Sequence, residues 1–158
     1  MFVRRLVQAG VAIGMLAVSV LGLSSPANAV PTSFVAKAVH AGGAGKLAVQ
    51  ATGGLTWYNR SVTVTSVKFY ASPGECGYVA IWAYVGNADV DHKFYPSSGS
   101  YCGGSTGKWF TVGNVPLDGS AYSGGITEVY IVVFDETHSG QGWALCARAS
   151  FACSTAQM

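Results

Sequence analysis

Short runs rich in Val, Ile, Thr and aromatic residues, each closed by a Gly-, Pro- or Asn-bearing turn, restrict this chain more than any other feature. The runs are Leu55 to Tyr58, Ser61 to Tyr70, Gly77 to Val85, Lys108 to Val112, Thr127 to Phe134 and Trp143 to Phe151. Between them stand Ser72-Pro73-Gly74, Gly86-Asn87, Pro96-Ser97-Ser98-Gly99, Cys102-Gly103-Gly104, Gly113-Asn114, Asp118-Gly119, Gly124-Gly125 and Ser139-Gly140-Gln141-Gly142. These residues supply the positive φ angles and preset bends of tight reversals. Nothing between the turns carries a helical period. Strands of this length and spacing predict an all-β fold, either an antiparallel β-sandwich or, as the alternative, a partly open β-barrel.

The strands also announce their faces. From Tyr78 to Val85 the residues Val79, Ile81, Ala83 and Val85 share one side and Tyr78, Ala80, Trp82 and Tyr84 the other. The aliphatic side suits a core between packed sheets; the aromatic side is a further buried layer or an exposed surface. Val129, Ile131 and Val133 against Tyr130, Val132 and Phe134 repeat the theme, and such continuous apolarity predicts a central strand covered on both sides. Between Val64 and Val67 the two-residue period slips, which predicts a β-bulge at Thr65 or Ser66.

The first residues have the order of a secretory leader. Arg4 and Arg5 form a positive start, Val11 to Leu23 an apolar segment, and Ala27-Asn28-Ala29 the small residues that signal peptidase accepts. Residues 1–29 are therefore expected to leave, residues 30–45, small and aperiodic, to form a flexible arm, and residues 46–158 to form the sandwich domain. The apolar segment is too short and too interrupted by Gly14, Gly22 and Pro26 for a membrane span, and no later run is long enough for one. After cleavage about 130 residues remain, enough for one domain with an ordinary core.

Charge then narrows the partners. The chain has nine Lys plus Arg and seven Asp plus Glu. Arg4 and Arg5 leave with the leader, so the mature chain is formally neutral. Its remaining basic residues, Lys37, Lys46, Arg60, Lys68, Lys93, Lys108 and Arg148, are scattered singly, whereas nucleic-acid binding requires a basic stripe to neutralise phosphates. No nucleic-acid partner is expected. Cys76, Cys102, Cys146 and Cys153 all lie in the mature part, without a C-x-x-C pair, and an even count in an exported chain reads as two disulfides. Three pairings are open, and loop order favours Cys76–Cys102 with Cys146–Cys153.

The order Leu55-Thr-Trp-Tyr-Asn-Arg-Ser-Val-Thr-Val64, then an aromatic strand, Trp109-Phe-Thr-Val112 and Gly124-Gly-Ile-Thr-Glu-Val-Tyr-Ile-Val-Val133 resembles small exported single-domain proteins of actinobacteria. The resemblance covers roughly Leu55 to Phe151. It implies export and a β-sandwich and brings no functional residues with it.

Candidate chemistry is sparse. Asp89, Asp91 and His92 offer oxygen and nitrogen ligands but lack the later bidentate Glu and central Gly of an EF-hand loop, so a solvated turn is expected there. Gly103-Gly-Ser-Thr-Gly-Lys108 lacks the spacing and following helix of a phosphate loop, and it reads as a hairpin loop. No G-x-S-x-G elbow occurs. Neither a metal nor an organic cofactor is expected. A small secreted hydrolase is the alternative function, with His138, Asp135, Glu136 and His92 as its acid/base residues. Adjacent carboxylates on a strand point to opposite faces, which opposes a glycosidase geometry.

The aromatic surplus is the stronger signal. Trp and Tyr stack on sugar rings and anchor protein interfaces, and Trp57, Trp82, Trp109 and Tyr95 are the candidate ligand-binding residues. Trp82, on the most apolar strand, is expected in the core, and Trp109, beside Lys108 and after a Gly-rich loop, at an exposed contact. A non-catalytic, extracellular binding or surface protein is expected, taking a carbohydrate or a protein; a protease inhibitor using the disulfide-tied loop from Tyr95 to Lys108 is one form of it. Intact mass of the protein in culture medium should fit a chain beginning at Val30; a product retaining Met1 in the membrane fraction would overturn the leader.

Overall fold

The computed structural model describes residues 30–40, 45–150 and 152–157. The leader, residues 41–44 of the expected arm, and Phe151 lie outside the described residues, among which there is no helix. Two antiparallel sheets face one another and do not close into a barrel. The first runs in the order β1 (Ser33–Val39), β2 (Leu47–Trp57), β3 (Ser61–Ala71), β7 (Lys108–Asp118). In the second the order is β10 (Ser154–Gln157), β9 (Gln141–Ala147), β8 (Glu128–Asp135), β4 (Cys76–Val85), β5 (Ala88–Tyr95), and the short β6 (Tyr101–Cys102) pairs with the start of β4. The sandwich is the expected fold, and no helix among the described residues is long and apolar enough to cross a membrane.

The core lies where the aliphatic faces meet. From the second sheet come Val79, Ile81, Ala83, Val129, Ile131, Val133, Ala144 and Cys146; from the first come Val49, Ala51, Val62, Val64, Val67, Phe69, Val115 and Leu117, all essentially inaccessible to water. Full burial of a side chain such as Ile81 or Ile131 stabilises the fold by about 2–3 kcal/mol relative to exposure. The bulge stands where the period slips: Ser66 has a φ of 51°, and the pairing of β3 with β7 shifts register between Val64 and Val67. That extra residue returns Val67, Phe69 and Ala71 to the core face.

Ser33–Val39 of the expected flexible arm form strand β1 instead. Phe34, Ala36 and Ala38 are buried while Val35 and Lys37 face out, a clean two-residue alternation that short Ala side chains conceal in the sequence. β1 also lies close against β9. A Cβ on Gly142 of β9 would strike the Lys37 carbonyl, so only glycine permits that approach. β2 likewise begins at Leu47, well before the expected Leu55.

Both disulfides follow loop order. Cys76 and Cys102 are directly opposed across β4 and β6, and Cys146–Cys153 fastens β9 to the segment leading into β10. Among the described residues no cysteine is free. In the chain-entropy account, closing the larger loop contributes about 3–4 kcal/mol and the smaller about 2–3 kcal/mol. The native protein should therefore show no thiol titration until reduced, and reduction should lower its thermal midpoint by about 15 °C or more. Two reactive thiols in the unreduced protein would contradict the pairing.

Candidate functional site

Two kinds of constellation carry chemistry, one aromatic and one made of imidazoles and carboxylates. The aromatic one is the outer face of the second sheet. Register sets Phe94 of β5 beside Ala80, then Tyr78, Trp82 and Tyr84 of β4 beside Phe134, Tyr130 and Glu128 of β8, and Trp143 and Leu145 of β9 next to these. Tyr78 stacks on Phe134 at 4.6 Å between centroids, Trp82 meets Phe94 edge-on at 5.6 Å and Tyr130 at 6.2 Å, and Tyr130 meets Trp143 at 5.6 Å. The rings cover one another's edges and bury Val132 and Ala80 beneath them. β8 is thus central, as its apolarity predicts, but its second face is covered by neighbouring rings rather than by another layer of the described residues. Desolvation by this packing raises the phenol pKa of Tyr78, Tyr84 and Tyr130 above the ordinary value, with smaller contributions from Glu136, Asp89 and Tyr84 respectively. At one end the face dips into a depression of about 250 Å³ lined by Tyr84, Gly86, Asn87, Glu128, Tyr130 and Leu145. Gly86 and Asn87 form the two-residue hairpin turn between β4 and β5, where Gly86 takes a φ of 58°.

The four aromatics singled out from the sequence do not meet in one place. Trp82 is half-buried within the outer face just described rather than in the core. Trp109 is 48% exposed on the outer face of the first sheet, where it meets Tyr70 at 5.1 Å and, with Thr52, Lys68 and Thr111, lines a second open depression. Trp57 packs on the core, donates its indole N–H to the Pro31 carbonyl at 2.8 Å and lies under the Arg148 guanidinium. Tyr95 is also half-buried against the core.

The polar residues sort differently again. Asp89 pairs with His92 at 3.3 Å, while Asp91 accepts from Lys93 Nζ at 2.7 Å and from the Asp118 backbone N–H at 3.1 Å. Each carboxylate has its own partner, as in a solvated hairpin. Glu136 accepts from the Ser100 hydroxyl, apart from His138. Asp135 and His138 do converge, with two residues that sequence reasoning missed. His40 Nε2 lies 3.1 Å from one Glu75 oxygen, His138 Nδ1 lies 3.0 Å from the other, and His138 Nδ1 is 3.8 Å from Asp135 Oδ2.

Three separate chain segments build this cluster. Glu75 follows Ser72-Pro73-Gly74, a turn closed by the Glu75 N–H donating to the Ser72 carbonyl, with Gly74 at a φ of 80°. Asp135 ends β8 and its Oδ1 accepts from the backbone N–H groups of Thr137 and His138, folding the next residues back over it. His40 follows β1, its N–H donating to the Lys46 carbonyl. One donor atom from each of His40, Glu75, Asp135 and His138 lies within 4.8 Å of all the others, so this is the set among the described residues that could hold a metal ion. No spacing motif could have found it, because the ligands sit at positions 40, 75, 135 and 138.

No protein-family model, curated protein or solved structure matches the chain. The two tryptophans outside the second sheet's face separate by context. Trp57→Ala should cost about 2–3 kcal/mol in urea denaturation through lost core packing and a broken indole hydrogen bond, whereas Trp109→Ala should cost less than about 1 kcal/mol. Equal costs would contradict these placements.

Proposed function

We propose that the chain is one of the small exported actinobacterial sandwich proteins it resembles, and that it is a non-catalytic binding protein whose ligand is a carbohydrate chain. The observation that carries this reading is the continuous outer aromatic face of the second sheet. Phe94, Trp82, Tyr130 and Trp143 run across four strands in successive contact, and the Tyr78–Phe134 stack lies on the same face. Their rings are fixed by a hydrogen-bonded sheet, so little freedom is lost when a ligand binds. Aromatic faces suit the C–H surfaces of pyranose rings, while the Asn87 amide and Glu128 carboxylate at the depression can hydrogen-bond to hydroxyls. The polar groups there are side chains of a tight turn and a strand start, with no nucleophile and base paired beside them. Export is supported by the leader-like first residues and by two disulfides, which form and persist in oxidising compartments.

Trp109 and Tyr70, on the opposite side of the molecule, are the competing platform. Retention of the exported chain on insoluble polysaccharides distinguishes the two. Tyr130→Ala should reduce retention at least about ten-fold, a loss of roughly 1.4 kcal/mol in binding, while leaving the disulfides and the folded near-ultraviolet spectrum intact. Trp109→Ala should retain wild-type binding. Loss with Trp109→Ala alone would transfer the site to the first sheet, and failure of the wild type on every polysaccharide would end the carbohydrate reading.

A further inference from the structure

The imidazole and carboxylate cluster at the far end of the sandwich is built for more than hydrogen bonding. Glu75 is 4% exposed and Asp135 2% exposed, so two acids stand side by side out of water. Glu75 spends both oxygens on the two imidazoles, and Asp135 Oδ1 accepts two backbone N–H groups. Asp135 Oδ2 has no hydrogen-bond partner although it is fully buried and turned toward His138. A carboxylate oxygen in that position needs either a proton or a cation. The imidazoles of His40 and His138 lie with their ring centroids 4.4 Å apart.

We propose that His40, Glu75, Asp135 and His138 bind one divalent transition-metal ion of the zinc type. Two imidazole nitrogens with two carboxylate oxygens form a donor set for a borderline ion; calcium and magnesium prefer oxygen alone. Tetrahedral ligands placed about 2.0–2.1 Å from zinc stand roughly 3.3 Å from one another. His40 stands 3.1 Å from one Glu75 oxygen, His138 stands 3.0 Å from the other and 3.8 Å from Asp135 Oδ2, and one donor atom from each of the four residues lies within 4.8 Å of the rest, a set somewhat wider than that spacing. Binding would draw the four donors inward by side-chain rotation, each imidazole exchanging its bond to Glu75 for a bond to the ion. The backbone N–H groups on Asp135 Oδ1 keep its other oxygen aimed inward, the outer-shell support that orients a metal ligand.

Four protein ligands leave no open position for a reacting water, so the site captures or staples rather than hydrolyses. Its ligands come from the residue after β1, the turn before β4, and the end of β8 with the turn that follows it. An ion there would tie the first sheet's edge strand to the middle of the second sheet, and it would stabilise the folded chain by mass action. The carbohydrate face plays no part in this site.

The exported chain, stripped with a chelator and dialysed against zinc sulfate, should take up one zinc per chain and gain several degrees in thermal midpoint. His138→Ala and Asp135→Asn should weaken uptake at least about ten-fold, while His92→Ala, the remaining histidine, should bind as the wild type does. Should the cluster variants fail to fold, the wild type answers alone through its imidazole NMR signals: zinc should shift those of His40 and His138 and leave His92 in place. Substoichiometric zinc with an unmoved midpoint, or uptake that depends on His92, would overturn the site.

Discussion

The aliphatic seam between the two sheets supports everything else in the molecule. Val62, Val64, Val67 and Phe69 of β3 meet Val79, Ile81, Ile131 and Val133 of β4 and β8, and all are removed from water. Because side chains alternate along a strand, committing these positions to the seam sends Tyr78, Trp82, Tyr130 and Phe134 to the opposite surface. A one-residue slip would exchange the two sets, placing rings in a space sized for Val and Ile. The bulge at Ser66 exists for the same reason, since without it Val67, Phe69 and Ala71 would leave the seam.

The seam also explains why small residues gather along β1 and β9. Ala36, Ala38 and Gly142 let the edge strand of the first sheet lie directly against the second, a contact that larger side chains would hold apart. That close approach carries His40 to the end of the sandwich where Glu75 and Asp135 are buried. Nearby, Cys76–Cys102 pins the beginning of β4 immediately after Glu75, and the Cys76 N–H donates to the Thr137 hydroxyl beside His138. The cluster is held by elements whose positions are already determined for other reasons, which is how a set of donors is kept close without a local motif.

The two surfaces proposed to act are therefore of different origin. The aromatic face is a property of one sheet and follows from the alternation of neighbouring strands. The imidazole and carboxylate cluster belongs to no single element and arises where two strand ends and two turns come together. Burial strengthens both: it raises the phenol pKa values on the aromatic face, and it makes the unpartnered oxygen of Asp135 costly unless a cation or proton meets it.

Much of this was legible in the chain because it depends on near neighbours. The period-two patterns of Gly77 to Val85 and Thr127 to Phe134, the slip at Thr65 and Ser66, the turn at Gly86-Asn87 and the loop order of the cysteines each express a local rule, and the sandwich, bulge and disulfide pairing follow from them. β1 was hidden because Ala at positions 36 and 38 carries too little hydrophobic contrast to mark a face. Whether an aromatic strand face is covered depends on what packs there from elsewhere, so the positions of Trp82 and Trp57 were decided only by the tertiary structure. The same is true of His40, Glu75, Asp135 and His138. Strand alternation is written residue by residue, but the meeting of four side chains from distant segments is set by how the sheets stack, and no spacing in the sequence records it.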